Sequence, residues 1–77
     1  MDEIRELLIR RMYATHKAEY HLRIDAMLTR FIESNTDPDF KRKCFSMRSQ
    51  HRSRYRKYHA LDRQLLKQIE DKYHAQK

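Results

Sequence analysis

Not one of the 77 residues is glycine, and Pro38 is the only proline. Tight β-hairpin turns rely on residues that accept positive φ, glycine above all, so a chain without it has few ways to double back on itself. The same absence removes the glycine-rich loops that cradle phosphates and the glycine fingerprint of dinucleotide sites. What the chain has in quantity is Arg, Lys, Leu, Met, Glu and Gln, all good helix formers. An all-α fold is expected.

The strongest punctuation is Ser34-Asn35-Thr36-Asp37-Pro38-Asp39. Asn35 can take the left-handed conformation that ends a helix, and Pro38 suits the first turn of the next one, with Thr36 or Asp37 as its N-cap. Asp39 adds negative charge where a helix N-terminus is electropositive. A single domain over 1–77 is therefore expected: helix 1 over about 2–34, a turn at 35–37 and helix 2 over about 38–74. Each helix would be on the order of 50 Å long at about 1.5 Å per residue. With so short a connection the expected arrangement is an antiparallel helical hairpin, the alternatives being a sharp elbow or an opened, swapped form.

The two helices carry different apolar patterns. In helix 2, Phe40, Cys44, Met47, His51, Tyr55, Tyr58, Leu61, Leu65, Ile69 and Tyr73 succeed one another at steps of three or four, one continuous line. Helix 1 has two such lines. Ile4, Leu8, Met12, Thr15, Ala18, Leu22 and Ala26 form the first, and Ile9, Tyr13, His16, Tyr20, Ile24, Met27 and Phe31 the second. They lie well over a quarter turn apart, so one partner helix cannot cover both. Helix 1 is accordingly expected at the centre of an assembly, packed against its own helix 2 and against a second subunit. Ala18 and Ala26 would permit close approach.

A short chain buries a smaller share of its surface on folding than an ordinary domain and needs reinforcement. Cys44 is the only cysteine, so an internal disulfide is impossible; its helical position suits a buried thiol in a reducing compartment. His16, His21, His51, His59 and His74 show no close zinc-finger pairing, although His51, Tyr55 and His59 repeat at helical spacing. No metal or other cofactor is expected. Self-association is left as the reinforcement, and a homodimeric four-helix bundle is its most economical form. Its interface is expected to use Ile9, Tyr13, Tyr20, Ile24, Met27 and Phe31. The alternative is a broad-faced monomeric hairpin. Neither a signal-peptide pattern nor a long apolar run is present, which suggests a cytoplasmic protein without a membrane span.

The formal net charge of +7 is unevenly spread. From Asp2 to Glu33 there are six basic and six acidic residues. Between Lys41 and Lys57, by contrast, Lys41, Arg42, Lys43, Arg48, Arg52, Arg54, Arg56 and Lys57 put eight positive charges into seventeen residues without one carboxylate. Like charges four apart weaken a helix, and mixed signs would serve solubility as well, so this local cost points to a functional surface. Lys41, Phe45, Arg48, Arg52, Arg56, His59, Arg63 and Lys67 run at steps of three and four, a ridge of roughly 40 Å that could follow phosphates. Ser46, Ser49, Gln50 and Ser53, interleaved with these charges, can donate to phosphate oxygens. Tyr55 and Tyr58 could stack on unpaired bases, though their place on the apolar line favours packing.

Paired carboxylates, a nucleophile beside a base and a metal cluster are all missing as local signals, so a binding module rather than an enzyme is expected. The favoured function is nucleic-acid binding, to DNA or RNA, in a regulatory or accessory role. Its contacts would come from Lys41, Arg42, Arg48, Arg52, Arg56, Lys57, Arg63 and Lys67. The alternative is an adaptor or inhibitor whose arginine face meets an acidic partner protein, with an apolar line of helix 1 as its docking surface. A membrane-surface helix is disfavoured because His51, Tyr55 and Tyr58 break the apolar face.

Overall fold

Asp2 starts the first helix. Its carboxylate accepts hydrogen bonds from the backbone N–H groups of Ile4 at 3.2 Å and Arg5 at 3.4 Å, satisfying two donors that a helix N-terminus leaves open. The computed structural model describes residues 2–76. Two helices account for nearly all of them, α1 (Glu3–Ser34) and α2 (Pro38–Ala75), with no strand among the described residues.

The connection between them needs no left-handed residue. Asn35 is extended, at φ −107° and ψ 147°, rather than in the left-handed conformation the sequence permits. Its side chain instead bonds back, Nδ2 donating to the carbonyl of Phe31 at 3.1 Å. Asp37 is the N-cap of α2, accepting from the Asp39 N–H at 3.0 Å, and Pro38 occupies the first turn. A non-glycine residue thereby avoids the steric cost of positive φ.

The helices form an antiparallel hairpin, a rod whose Cα positions extend 59 × 14 × 14 Å. The direction is legible in its contacts. Phe31 meets Phe40 beside the turn, Arg48 meets Thr29, His51 meets His21, Asp62 meets Arg11, and Lys72 meets Glu3 at the open end.

The packing line of α1 is neither of the two expected. The side chains turned toward α2 are Ile4, Leu7, Arg11, Ala14, Ala18, His21, Asp25, Leu28 and Ile32, all buried or half-buried. On α2 the facing line is Lys41, Cys44, Arg48, His51, Tyr55, Tyr58, Asp62, Leu65, Ile69 and Lys72. Both alternate steps of three and four, the heptad spacing that keeps one seam facing a partner helix. Of the first expected line only Ile4 and Ala18 belong to this seam. Leu8, Met12 and Leu22 are 42%, 69% and 49% exposed, and Ala26 is exposed as well. On α2 the expected line is half right: Cys44, His51, Tyr55, Tyr58, Leu65 and Ile69 face inward, while Phe40, Met47, Leu61 and Tyr73 lie outside. The reason is that polar residues satisfy one another across the seam, so an Arg or Asp at a seam position is no obstacle there.

Apolar burial is concentrated at two places. Leu7, Ala14 and Leu65, with Ile69 against them, form one cluster toward the open end. Leu28, Ile32 and Cys44, with Ile24, form the other toward the turn. Between and beside them the seam is polar, and no buried side-chain nitrogen or oxygen among the described residues lacks a partner.

Candidate nucleic-acid interface

The polar seam decides which basic side chains of α2 are free. Arg48 is half-buried: its guanidinium donates to Thr29 Oγ1 at 3.1 Å and lies 4.9 Å from the centre of the Phe45 ring. Arg52 donates through Nε to Asp25 Oδ2 at 2.7 Å. Lys41 is half-buried beside the turn-end cluster. These three ridge residues therefore do not stand wholly outside, as a straight outer ridge would require. The other expected contact residues remain on the surface. Arg42 makes an exposed ion pair with Asp39 at 3.6 Å. Arg56, Arg63 and Lys67 are exposed without a carboxylate partner among the described residues, and Lys57 lies 5.9 Å from the centre of the Tyr58 ring.

Two further cations, Lys43 and Arg54, are exposed on the opposite flank of α2 and were not among the site residues expected from sequence. The rotation of about 100° per residue is the signal that separates the flanks once the seam is known. Arg42, Arg52, Arg56 and Arg63 then fall on one side of the outward face of α2, and Lys43, Arg54 and Lys57 on the other. Ser46 and Ser53 lie between them, exposed. Phe45, Arg48, Ser49, Arg52, Ser53 and Arg56 border a shallow groove along the first side.

Tyr55 and Tyr58 do not stand on this face. Both are half-buried; Tyr55 stacks on His59 with ring centres 5.5 Å apart, and Tyr58 stacks on His21 at 5.8 Å. Beneath the basic segment His21 Nδ1 and His51 Nδ1 approach to 2.8 Å, one imidazole donating to the other. Burial holds the His21 pKa below its ordinary value, and the charges of His51, Arg54 and Lys17 push in the same direction. Further along, Asp62 accepts from Thr15 Oγ1 at 2.7 Å and from Arg11 Nε at 2.9 Å. Burial alone would raise its pKa, but those hydrogen bonds and the charge of Arg11 outweigh it and hold the carboxyl below its usual value.

The second expected line of helix 1 lies away from α2. Ile9, Tyr13, Tyr20, Met27 and Phe31 are 56%, 56%, 44%, 42% and 41% exposed, and Ile24 is half-buried against the turn-end cluster. Tyr13 meets Tyr58 edge-on, as Phe31 meets Phe40, so the inner rim of this line is anchored to α2 while its outer rim is open.

Among the described residues no group of three or more His, Cys, Asp or Glu is placed to hold a metal ion, and no helix is long and apolar enough to cross a membrane. Comparison with protein-family models, with curated proteins and with solved structures finds no match to this chain.

Proposed function

We propose that the protein is a nucleic-acid-binding protein, not an enzyme, whose contacts come from the solvent side of α2. One observation carries this reading. Eight cations and no carboxylate occupy Lys41–Lys57, and Lys43, Arg54, Arg56 and Lys57 among them stand exposed with no carboxylate partner among the described residues. Arg63 and Lys67 continue the surface. Ion-paired Arg52 and half-buried Arg48 contribute mainly by holding the helix in place.

The dimer belongs to the same reading. Joining two copies through the exposed line of helix 1, Ile9, Tyr13, Tyr20, Met27 and Phe31, buries apolar surface that one hairpin leaves in water. It also keeps both α2 helices on the outside of a four-helix bundle. Two basic surfaces on one particle raise affinity for a long polyanion by effective concentration.

Binding measured across a salt series tests the first part. Six free cations predict a log–log slope of about −5, at about 0.9 per neutralised phosphate. The double charge reversal Arg56→Glu with Arg63→Glu flattens it. Absence of binding to any nucleic acid at low salt removes the reading. Molar mass in solution tests the second part: twice the chain mass is expected, falling to a single chain in Tyr20→Glu. A second reading, an acidic protein partner, draws on the apolar side chains exposed on both sides of helix 1. Capture from cell extract that survives nuclease treatment would favour it.

A further inference from the structure

A polyanion can be met in three shapes: a single strand, an A-form RNA duplex or a B-form DNA duplex. They make different demands on the protein. Single-strand binding pairs a cationic groove with exposed aromatic rings on which bases stack. Here the two tyrosines of the basic segment are turned into the seam and occupied by His21 and His59. Phe45, 47% exposed, is the one aromatic ring of Phe or Tyr left on that surface, with the Arg48 guanidinium 4.9 Å from its centre, and a single ring offers no run of stacking platforms for successive bases.

A duplex asks instead for cations at the separation of two phosphate backbones. The exposed cations of α2 do not form one ridge. Arg42, Arg56 and Arg63 lie to one side of its outward face, and Lys43, Arg54 and Lys57 to the other, all exposed. Neighbours such as Arg42 and Lys43, or Arg56 and Lys57, project about 100° apart to the two flanks of a helix that is about 10–12 Å across with its side chains. A B-DNA major groove is about 12 Å wide, with a phosphate backbone along each wall. The major groove of A-form RNA is too narrow to admit a helix. No part of α1 crosses the outward face of α2, since α1 packs against the opposite side along the whole seam.

We propose that the ligand of this surface is B-form duplex DNA, with the outward face of α2 lying in the major groove. Arg42, Arg56 and Arg63 meet the phosphates of one wall and Lys43, Arg54 and Lys57 those of the other. The proposal rests on the nucleic-acid reading above and narrows it to one partner and one groove. Ser46 and Ser53, between the two lines, then face base edges, where a hydroxyl donates or accepts with little selectivity. Discrimination among sequences is therefore weak.

The test uses the unaltered protein and probes of one base sequence: duplex DNA, duplex RNA, single-stranded DNA, and duplex DNA carrying glucosylated 5-hydroxymethylcytosine, which fills the major groove. Anisotropy titrations at one salt concentration are expected to show plain duplex DNA bound about tenfold or more tighter than the other three. A minor-groove ligand such as netropsin leaves binding unchanged. Lys43→Glu with Lys57→Glu costs as much affinity as Arg56→Glu with Arg63→Glu, with helicity checked by circular dichroism. Equal affinity for duplex RNA, indifference to the glucosyl groups, or loss from only one of the two double variants overturns this proposal while leaving nucleic-acid binding standing. Failure to bind every probe at low salt overturns both.

Discussion

The ends of the interhelical seam and its middle are held by different forces. At the ends Leu7, Ala14 and Leu65, and Leu28, Ile32 and Cys44, bury apolar surface. That force has no direction and would tolerate a slide of one helix along the other. In the middle His21 meets His51 and Asp25 meets Arg52, and alongside the open-end cluster Asp62 meets both Arg11 and Thr15. These contacts exist in one alignment. Moving α2 by a heptad would bring Tyr55 or Ile69 to Arg11 and Cys44 or Tyr58 to His21, leaving polar groups without partners. The ends supply most of the stability, and the middle sets the register, a role attested for polar residues in coiled-coil seams.

The sharpest way to break this contrast is at an end. Leu28→Ala should cost about 2–5 kcal/mol, against a core that rarely supplies more than about 3–5 kcal/mol in so short a chain. Thermal melts followed by circular dichroism at fixed protein concentration should lose their cooperative transition; a drop of only a few degrees would mean that the ends are not what holds the hairpin.

A cut in the polar contacts should be milder. Asp62→Ala leaves Arg11 and Thr15 without their acceptor, at about 1–3 kcal/mol for a hydrogen-bonded charge. A double-mutant cycle with Arg11→Ala should return a favourable coupling of about 1 kcal/mol. Zero coupling would show that the pair is incidental to stability.

Acid should act on the middle before the ends. The folded-state pKa of His21 lies below its ordinary 6.5, so the folded form disfavours the proton. Its stabilising effect is complete above that value and is lost as pH falls through the depressed one. The melting temperature should decline as pH falls below about 6.5, and His21→Gln should flatten that decline. Asp62, also depressed, contributes a second loss in a more acidic window, below its ordinary 3.8. A melting temperature independent of pH in both windows would contradict the geometry of the polar contacts.

The smallest effect belongs to the open end. Glu3 and Lys72 pair there at the surface, with the Glu3 carboxylate largely exposed, and the Lys72 hydrogen bond lowers the Glu3 pKa. Exposed pairs contribute little, so Glu3→Ala should leave the melt unchanged within error.

Much of this architecture was legible residue by residue. The run from Ser34 to Asp39 announced the turn, and the glycine-free composition announced helices on either side of it. The segregation of charge, balanced from Asp2 through Glu33 and wholly basic from Lys41 to Lys57, was legible too. The seam was not, because α1 carries apolar side chains around most of its circumference and several lines satisfy the helical period equally. The line actually used contains Arg11, His21 and Asp25, which a count of apolar positions scores against it. A signal was present in pairs: Arg11 with Asp62, Asp25 with Arg52 and His21 with His51 match only when the two helices run antiparallel in one register. Misplacing the seam also misplaced Arg48 and Arg52, which left Lys43 and Arg54 out of the expected surface.

Local chemistry alone, then, determined that this chain is helical, where it turns and which helix carries the positive charge, because propensity, capping and composition act within a few residues. Which faces meet was decided only by the packed hairpin, since burial of polar groups depends on partners 19 to 51 residues away along the chain. That choice drew Arg48 partly into the seam and tied Arg52 to Asp25, and it left two lines of exposed cations astride the outer face of α2.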